Sequence, residues 1–531
     1  MKVVTAEQMR RLEQQSEALG VSLDTLMENA GLQVARVAWE TVGERRGAEV
    51  VALIGPGNNG GDGLVAARHL ASWGAKVTAY LLVPRPPADP KLALALQQGV
   101  EAVEAPGDEQ LATLRALLSS AHLVVDAVLG TGKRRPFEGI FAEVFTLVAQ
   151  ISPQRPAPRL LALDLPSGLD ADTGAVDPLT PYADITVTLG FPKLGLFLFP
   201  GAERVGHLEV VDIGIPEHLA EDVPLDLLDA RWARQAFPPR PLSAHKGTFG
   251  RVLAVVGSQR YIGAAYLACM GAARVGAGYV TLAAPSGIHP ILASKLTEVT
   301  HLPLPEAASG VFSPDAVREL RRALGQFEVL LMGCGLGQSP AAEALLRHLL
   351  LGETPPNTPL VLDADALNIL AHQEGWWEKV RAPAVLTPHP GEMARLLDTT
   401  IEEVERNRLH TAQQAARRWG VTVVLKGPFT VVASPEGNLR LSPFANPALA
   451  TAGTGDVLAG AIAGLMAQGM HPFDAASLGV FLHGAAGEVL RAEAGDAGTL
   501  AGDLLPLLPR VIKALKAGTP LPGPALRRKG I

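Results

Sequence analysis

Residues 50–73 read VVALIGPGNNGGDGLVAARHLASW. Val50 to Ile54 is a continuous apolar run of the kind a buried parallel strand needs, Gly55 to Gly63 is a glycine-rich loop, and Leu64 to Trp73 has helical spacing. The unit then recurs. Lys76 to Val83 is the next strand. Leu123 to Val128 is another, ending in Asp126 and the loop GTGKRRP, and Leu160 to Leu165 ends in Asp164 and the turn Pro166-Ser167-Gly168. Upstream, Thr5 with Gln8 predicts a capping box opening a helix, and Ser22 opens a second. Strand, glycine-rich loop and helix alternating at this spacing predict a doubly wound α/β domain. Ligands bind such sheets beyond the carboxyl ends of the strands, so all three loops should share one rim.

Near residue 216 the rhythm loosens around Pro216, Pro224, Pro238, Pro239 and Pro241, which lack the N–H that a helix or ladder uses. A second α/β series follows. Its strands are Arg251 to Val256, Val329 to Met332, Leu360 to Leu362, Ala384 to Leu386 and Thr422 to Leu425, each running into a polar or glycine-rich loop. The expected organisation is a domain over 1–220, a linker over 221–242, a second domain over 243–516 and a frayed tail over 517–531. Within the second domain, residues 446–464 read NPALATAGTGDVLAGAIAG. The turn 452–455 opens an apolar helix whose first free N–H groups suit a phosphate or a developing oxyanion. Asp456 stands at that mouth, placed to take a proton from a hydroxyl, or equally to cap a glycine-rich turn.

The whole chain sets bounds on these readings. At 531 residues, two or more domains are expected, and 48% hydrophobic with 19% charged residues excludes disorder as the main state. A net charge of −7 without a basic run argues against nucleic acid as a partner. The most weakly charged stretch, Gly263 to Pro285, is broken by Arg274 and reads as a packed helix and strand, so no membrane partner is expected. Cys269 and Cys334 are the only cysteines and sit in apolar surroundings, which speaks against a disulfide framework or thiolate zinc site and for a reducing, cytoplasmic location. The N-terminal residues lack an apolar signal core.

On the first rim, Asn58, Asn59, Asp62, Asp126, Asp164 and Ser167 place amide, carboxylate and hydroxyl oxygens at neighbouring strand ends, suited to an alkali or alkaline-earth cation. Gly60, Gly61, Gly130 and Gly132 offer backbone amides to a phosphate-bearing ligand. Taken singly, each Asp or Asn could merely close a turn. Their joint occurrence at three strand ends favours a site.

GPGNNGGDG, VDAVLGTG, LDLPSGLDADTG and LGFPKLG, in that order, resemble the NAD(P)H-hydrate epimerase family. HKGTFGRVLAVVGS, GCGLG, LDADALN, LTPHPGEMARL, LKG and NPALATAGTGDVLAG resemble the NAD(P)H-hydrate dehydratase family. From about residue 1 to 516 the chain is similar to the bacterial fusions of the two. The resemblance implies a Rossmann-like doubly wound sheet followed by a ribokinase-like α/β domain. In the first, it implies hydrated-dinucleotide contacts at Asn58, Asn59, Gly60, Gly61 and Asp62, at Gly130, Thr131, Gly132, Lys133, Arg134, Arg135 and Pro136, and at Asp164. It makes Asn59, Asp126 and Ser167 potassium ligands. Asp62 is a candidate acid/base, with Lys193 its electrostatic partner or a solvated loop lysine. In the second domain, Lys426, Gly427, Pro428, Phe429, Thr430 and Gly455 would bind the adenosine nucleotide, and Ala264, Gly335, His389 and Asp456 the hydrated nicotinamide. Asn368 and Glu392 match a magnesium region. Cys334 in GCGLG departs from the proline commoner in the family. The implied substrates are NADH-hydrate and NADPH-hydrate with ADP, and a homo-oligomer is expected. A ribokinase-like small-molecule kinase and a ligand-sensing protein are the rival readings.

Overall fold

The computed structural model describes residues 1–86, 88–132, 136–151, 158–308 and 311–523. It divides into two compact units, 1–225 and 226–523. In the first, seven strands, β1 (Glu49–Ile54), β2 (Lys76–Leu81), β3 (Glu101–Glu104), β4 (Leu123–Ala127), β5 (Arg159–Leu163), β6 (Ile185–Leu189) and β7 (His207–Val211), form one sheet. Their order is β3-β2-β1-β4-β5-β6-β7, and every neighbouring pair is parallel. The apolar runs are continuous because both faces are covered. Val50, Ala52 and Ile54 pack in one core and Val51 and Leu53 in another, as the period of two requires. The order reverses between β1 and β4, which opens the crevice there. The capping box of Thr5 and Gln8 and the Ser22 cap both form.

The second unit contains a ten-stranded sheet. Its strands are β8 (Leu225–Leu227), β9 (Arg251–Val255), β10 (Tyr279–Pro285), β11 (Thr300–Leu304), β14 (Val329–Met332), β15 (Leu360–Leu362), β16 (Ala384–Leu386), β17 (Thr422–Leu425), β18 (Val431–Ala433) and β19 (Leu439–Leu441). A separate antiparallel pair is made by β12 (Glu306–Ala308) and β13 (Val311–Phe312). The order is β11-β10-β9-β14-β15-β16-β17-β18-β19-β8, parallel from β11 to β17, with β18 antiparallel to both β17 and β19. Val252, Ala254 and Val256 face a core built with the helices Ile262–Arg274, Thr454–Ala467, Pro472–Ala494 and Leu504–Ala517.

Two expectations change. The stretch from Asn58 to Gly63 is not loop but the opening of the helix Asn58–Ser72. Its glycines serve close packing: a Cβ on Gly60 would stand 2.1 Å from the Gly55 carbonyl oxygen and one on Gly63 2.5 Å from the Ala127 Cβ. The segment 221–242, read as a linker from its prolines, carries β8 and the helix Ala230–Ala236, with Leu228 and Ala233 in the second unit's core. Prolines at 238, 239 and 241 lie after that helix, where a missing N–H costs no helical hydrogen bond. Residues 524–531 of the expected tail lie outside the described residues.

Two candidate active sites

In the first unit a cavity of about 1360 Å³ lies beyond the carboxyl ends of β1, β4 and β5. Asn58, Asn59, Asp62, Gly130, Thr131, Gly132, Pro136 and Asp164 line it. Gly60 and Gly61 do not; they are buried in the first turns of the helix, against Gly55 and Met27. Lys133, Arg134 and Arg135 fall outside the described residues. Asp126 and Ser167 are fully buried. The Ser167 hydroxyl donates to Asp126 Oδ1 at 2.6 Å and its N–H to Oδ2 at 2.8 Å, while Leu129 N–H donates to Ser167 Oγ at 2.9 Å. Burial raises the Asp126 carboxyl to about 6 against the Ser167 hydrogen bonds. Asn59 Nδ2 donates to the Leu163 carbonyl at 2.9 Å, and its buried Oδ1 has no donor among the described residues.

Four ionisable groups meet at one end of this cavity. Asp164, at φ +69° just past β5, accepts from Lys193 Nζ at 2.5 Å and from Thr188 Oγ1 and Leu189 N–H, each at 3.1 Å. Lys193 is wholly buried and donates also to the Leu189 carbonyl at 2.9 Å, so it is a fixed partner of Asp164 rather than a solvated loop lysine. Asp62 is 8% exposed. Burial, then Asp164 and Glu13, push its carboxyl well above the ordinary range, and Lys193 only partly opposes them. Glu13, on the cavity wall from the helix Ala6–Ala18, is itself raised, first by burial.

The second site gathers at the carboxyl ends of β14, β15 and β17 around the start of the helix Thr454–Ala467. Gly453, at φ +94°, turns the chain into that helix. Lys426 Nζ stands 2.7 Å from Asp363 Oδ1 and 3.8 Å from Glu392 Oε2. Thr387 Oγ1 donates to the same Asp363 oxygen at 2.7 Å. Polar atoms of Cys334, Asp363 and Asp456 lie within 4.8 Å of one another. Burial, then Asp363, raise the Asp456 carboxyl to about 7, while Cys334 and Lys426 counteract them. A Cβ on Gly455 would come within 3.3 Å of Lys426 Nζ, so the lysine ammonium borders the amides of the helix mouth. Amides at a helix start, a lysine ammonium and an ionisable carboxylate together suit an anionic group.

The other expected residues are distributed around this centre. Gly335, at φ +62°, abuts Ala264: an added Cβ would stand 2.7 Å from the alanine's own. The His389 ring is engaged locally. Its Nδ1 accepts from Gly391 N–H at 3.0 Å and its Nε2 lies 3.3 Å from Glu392 Oε1, while half of its side chain stays exposed. Asn368 Oδ1 accepts from Arg395 at 2.9 Å. Residues 426–430 form the turn from β17 to β18; Gly427 and Pro428 are exposed, and Thr430 Oγ1 donates to the Gly427 carbonyl at 2.8 Å.

Residues 252–510 match the family described as NAD(P)H-hydrate dehydratase, and residues 23–195 that described as YjeF-related protein N-terminus. The Bifunctional NAD(P)H-hydrate repair enzyme Nnr of Moorella thermoacetica is 43% identical over 97% of both chains. This chain belongs to the bifunctional NAD(P)H-hydrate repair enzyme family. The family's member from Thermofilum pendens is 38% identical, again over 97% of each chain. An ADP/ATP-dependent NAD(P)H-hydrate dehydratase structure from Bacillus subtilis, co-crystallised with ATP and Mg2+, is 32% identical over 55% of this chain and 98% of its own, with a TM-score of 0.48. In this repair enzyme, sequence reasoning passed over Asp363, Thr387 and Glu13 as site residues. Asp363 carried a signal, an acid directly after an apolar strand; Glu13 carried none, since an acid on an amphipathic helix reads as solvated.

Proposed function

We propose that the first unit interconverts the R and S forms of NAD(P)H-hydrate and that the second dehydrates the S form with ADP, giving NAD(P)H, AMP and phosphate. The observation that carries this reading is the pairing of Asp456, a carboxylate raised to about 7, with the helix-mouth amides and the Lys426 ammonium. Asp456 takes the proton of the C6 hydroxyl as its oxygen attacks the terminal phosphorus of ADP; the bridging P–O bond breaks and AMP leaves. The phosphorylated C6 oxygen then departs as phosphate, pushed by the N1 electron pair, and loss of the C5 proton restores the dihydronicotinamide. The amides of Gly453 and Gly455, with Lys426, meet the charge on the transferring group, while the Thr454 N–H donates to the Thr451 carbonyl at 3.3 Å.

In the first unit, Asp62, whose carboxyl burial and the neighbouring acids push toward its protonated form, gives a proton to the departing C6 hydroxyl. The planar iminium is met by the negative charge of Asp164, and water returns on the other face, losing a proton that passes through solvent back to Asp62. Asn59, Asp126 and Ser167 suit a potassium ion, since Asn59 Oδ1 is a buried oxygen with no donor among the described residues. Such an ion would fix the strand-end loops and offset the Asp126 charge. Magnesium suits the edge of the second site: Glu392 is an acid near Lys426, whereas Asn368 already accepts from Arg395, so nucleotide phosphates and water would supply most of its ligands. Two buried free cysteines fit a reducing cytoplasm.

The test is recovery of NADH absorbance from a mixture of hydrate epimers supplied with ATP-free ADP. Complete recovery is expected. Recovery with ATP alone would overturn the choice of donor, and a phosphorylated product that accumulates without NADH would favour the small-molecule kinase.

A further inference from the structure

Cys334 follows β14 in the turn Gly333-Cys334-Gly335, where φ values of +124° and +62° at the glycines fix the chain on both sides of it. Its side chain is fully buried, and its Sγ donates to Asp363 Oδ2 at 3.6 Å. One Asp456 oxygen lies within 4.8 Å of both. The thiol therefore shares one buried cluster with two carboxylates that repel one another. Lys426 is the cation closest to hand, but its short contact is to Asp363, with Glu392 as its second acid. Asp365, the next acid on that strand end, is occupied by Gly337 N–H at 2.8 Å and Gln338 at 3.1 Å. Behind the helix, buried His483 is held neutral and donates from Nε2 to the Thr454 carbonyl at 3.0 Å, so it brings no charge to Asp456.

We infer that Cys334 is a positioning residue for the dehydration step: its S–H, shared between Asp363 and Asp456, holds the Asp456 carboxylate in place and favours its ionised form. The inference rests on the reading of Asp456 as the base. Burial between two acids keeps the thiol protonated, which is what a donor requires. Donation to one acid leaves the other more exposed to repulsion, so the hydrogen can follow whichever carboxylate carries the charge. As Asp456 collects the substrate proton, the S–H returns to Asp363. A thiol is a weak donor, so the effect should be graded rather than absolute.

The experiment measures kcat against pH for ADP-dependent dehydration in Cys334→Ala and Cys334→Ser, with epimerisation by the same full-length protein as the folding control. In Cys334→Ala the acid limb should move up by roughly half a unit to one unit, cutting kcat about two- to fivefold near pH 7 with little change in KM for ADP. Cys334→Ser, which retains a donor, should keep the limb at or below its parental position. Should the alanine variant fail to fold, the serine variant decides alone: a limb displaced upward with normal melting overturns the inference. An unshifted limb in folded Cys334→Ala, with dehydration lost in Asp456→Asn, overturns the Cys334 role and leaves the base assignment standing. Full dehydration by Asp456→Asn overturns both.

Discussion

At the scale of single residues, the two sites both raise carboxyl groups by burial, and each raised group has a cost that can be read. The Asp456 carboxyl is raised to about 7 in the folded chain, so its contribution to stability is fully present below its unfolded pKa and is lost as pH rises through about 7. Asp456→Asn removes the charge and keeps the size. Dehydration should fall by at least about a hundredfold while the folded state gains up to about 4 kcal/mol at pH 8, a gain that fades toward pH 4. Thermal melts at the two pH values, beside the dehydration assay, check this; an equal melting shift at both would contradict it. In the first unit, Asp126 shares its two oxygens with Ser167 beside Asn59 Oδ1, which has no donor among the described residues. Asp126→Ala should slow epimerisation and abolish its response to added potassium, with dehydration unchanged. A potassium titration of the variant that matches the parent would remove the ion from this site.

Among the elements, the helices Ile262–Arg274 and Thr454–Ala467 matter most to the second site, because the second carries Asp456 on its first turn. Their approach is set by glycine. A Cβ on Gly460 would stand 2.0 Å from the Ala268 carbonyl oxygen, one on Gly464 2.6 Å from that of Ala272, and one on Gly271 2.5 Å from that of Val457. Gly460→Ala forces the pair apart, at a cost of about 2–3 kcal/mol, and shifts the helix mouth. Dehydration should drop out of proportion to the loss of folded protein, and epimerisation should persist. Normal melting and normal dehydration in this variant would show that the contact is not what sets the site. The Ala/Gly-rich composition of 446–464 was visible as a helix pattern, but which backbone it would touch was not. That depends on a partner helix nearly two hundred residues earlier in the chain.

For the whole molecule, the two units have separate sheets and cores, and each is large enough to fold alone. Dividing the chain after Leu225 should yield a piece that only equilibrates the epimers and a piece that only dehydrates one of them, completing the reaction when mixed. Dividing it at Pro239 should weaken the second piece, since Leu228 and Ala233 leave its core. Equal melting of the pieces starting at 226 and 240 would refute that boundary. By itself the sequence determined the α/β class, the β1, β4, β5, β9, β14 and β17 strands, and the polar residues ending them, because burial on two faces and punctuation by glycine are local properties. Tertiary structure alone decided that the chain from Asp226 onward belongs to the second unit, that Gly60 and Gly61 pack within a helix, that Lys193 is buried on Asp164, and that Cys334 clusters with Asp363 and Asp456. Each of these depends on groups brought together from distant parts of the chain, and desolvation there changes what a residue does without changing its letter.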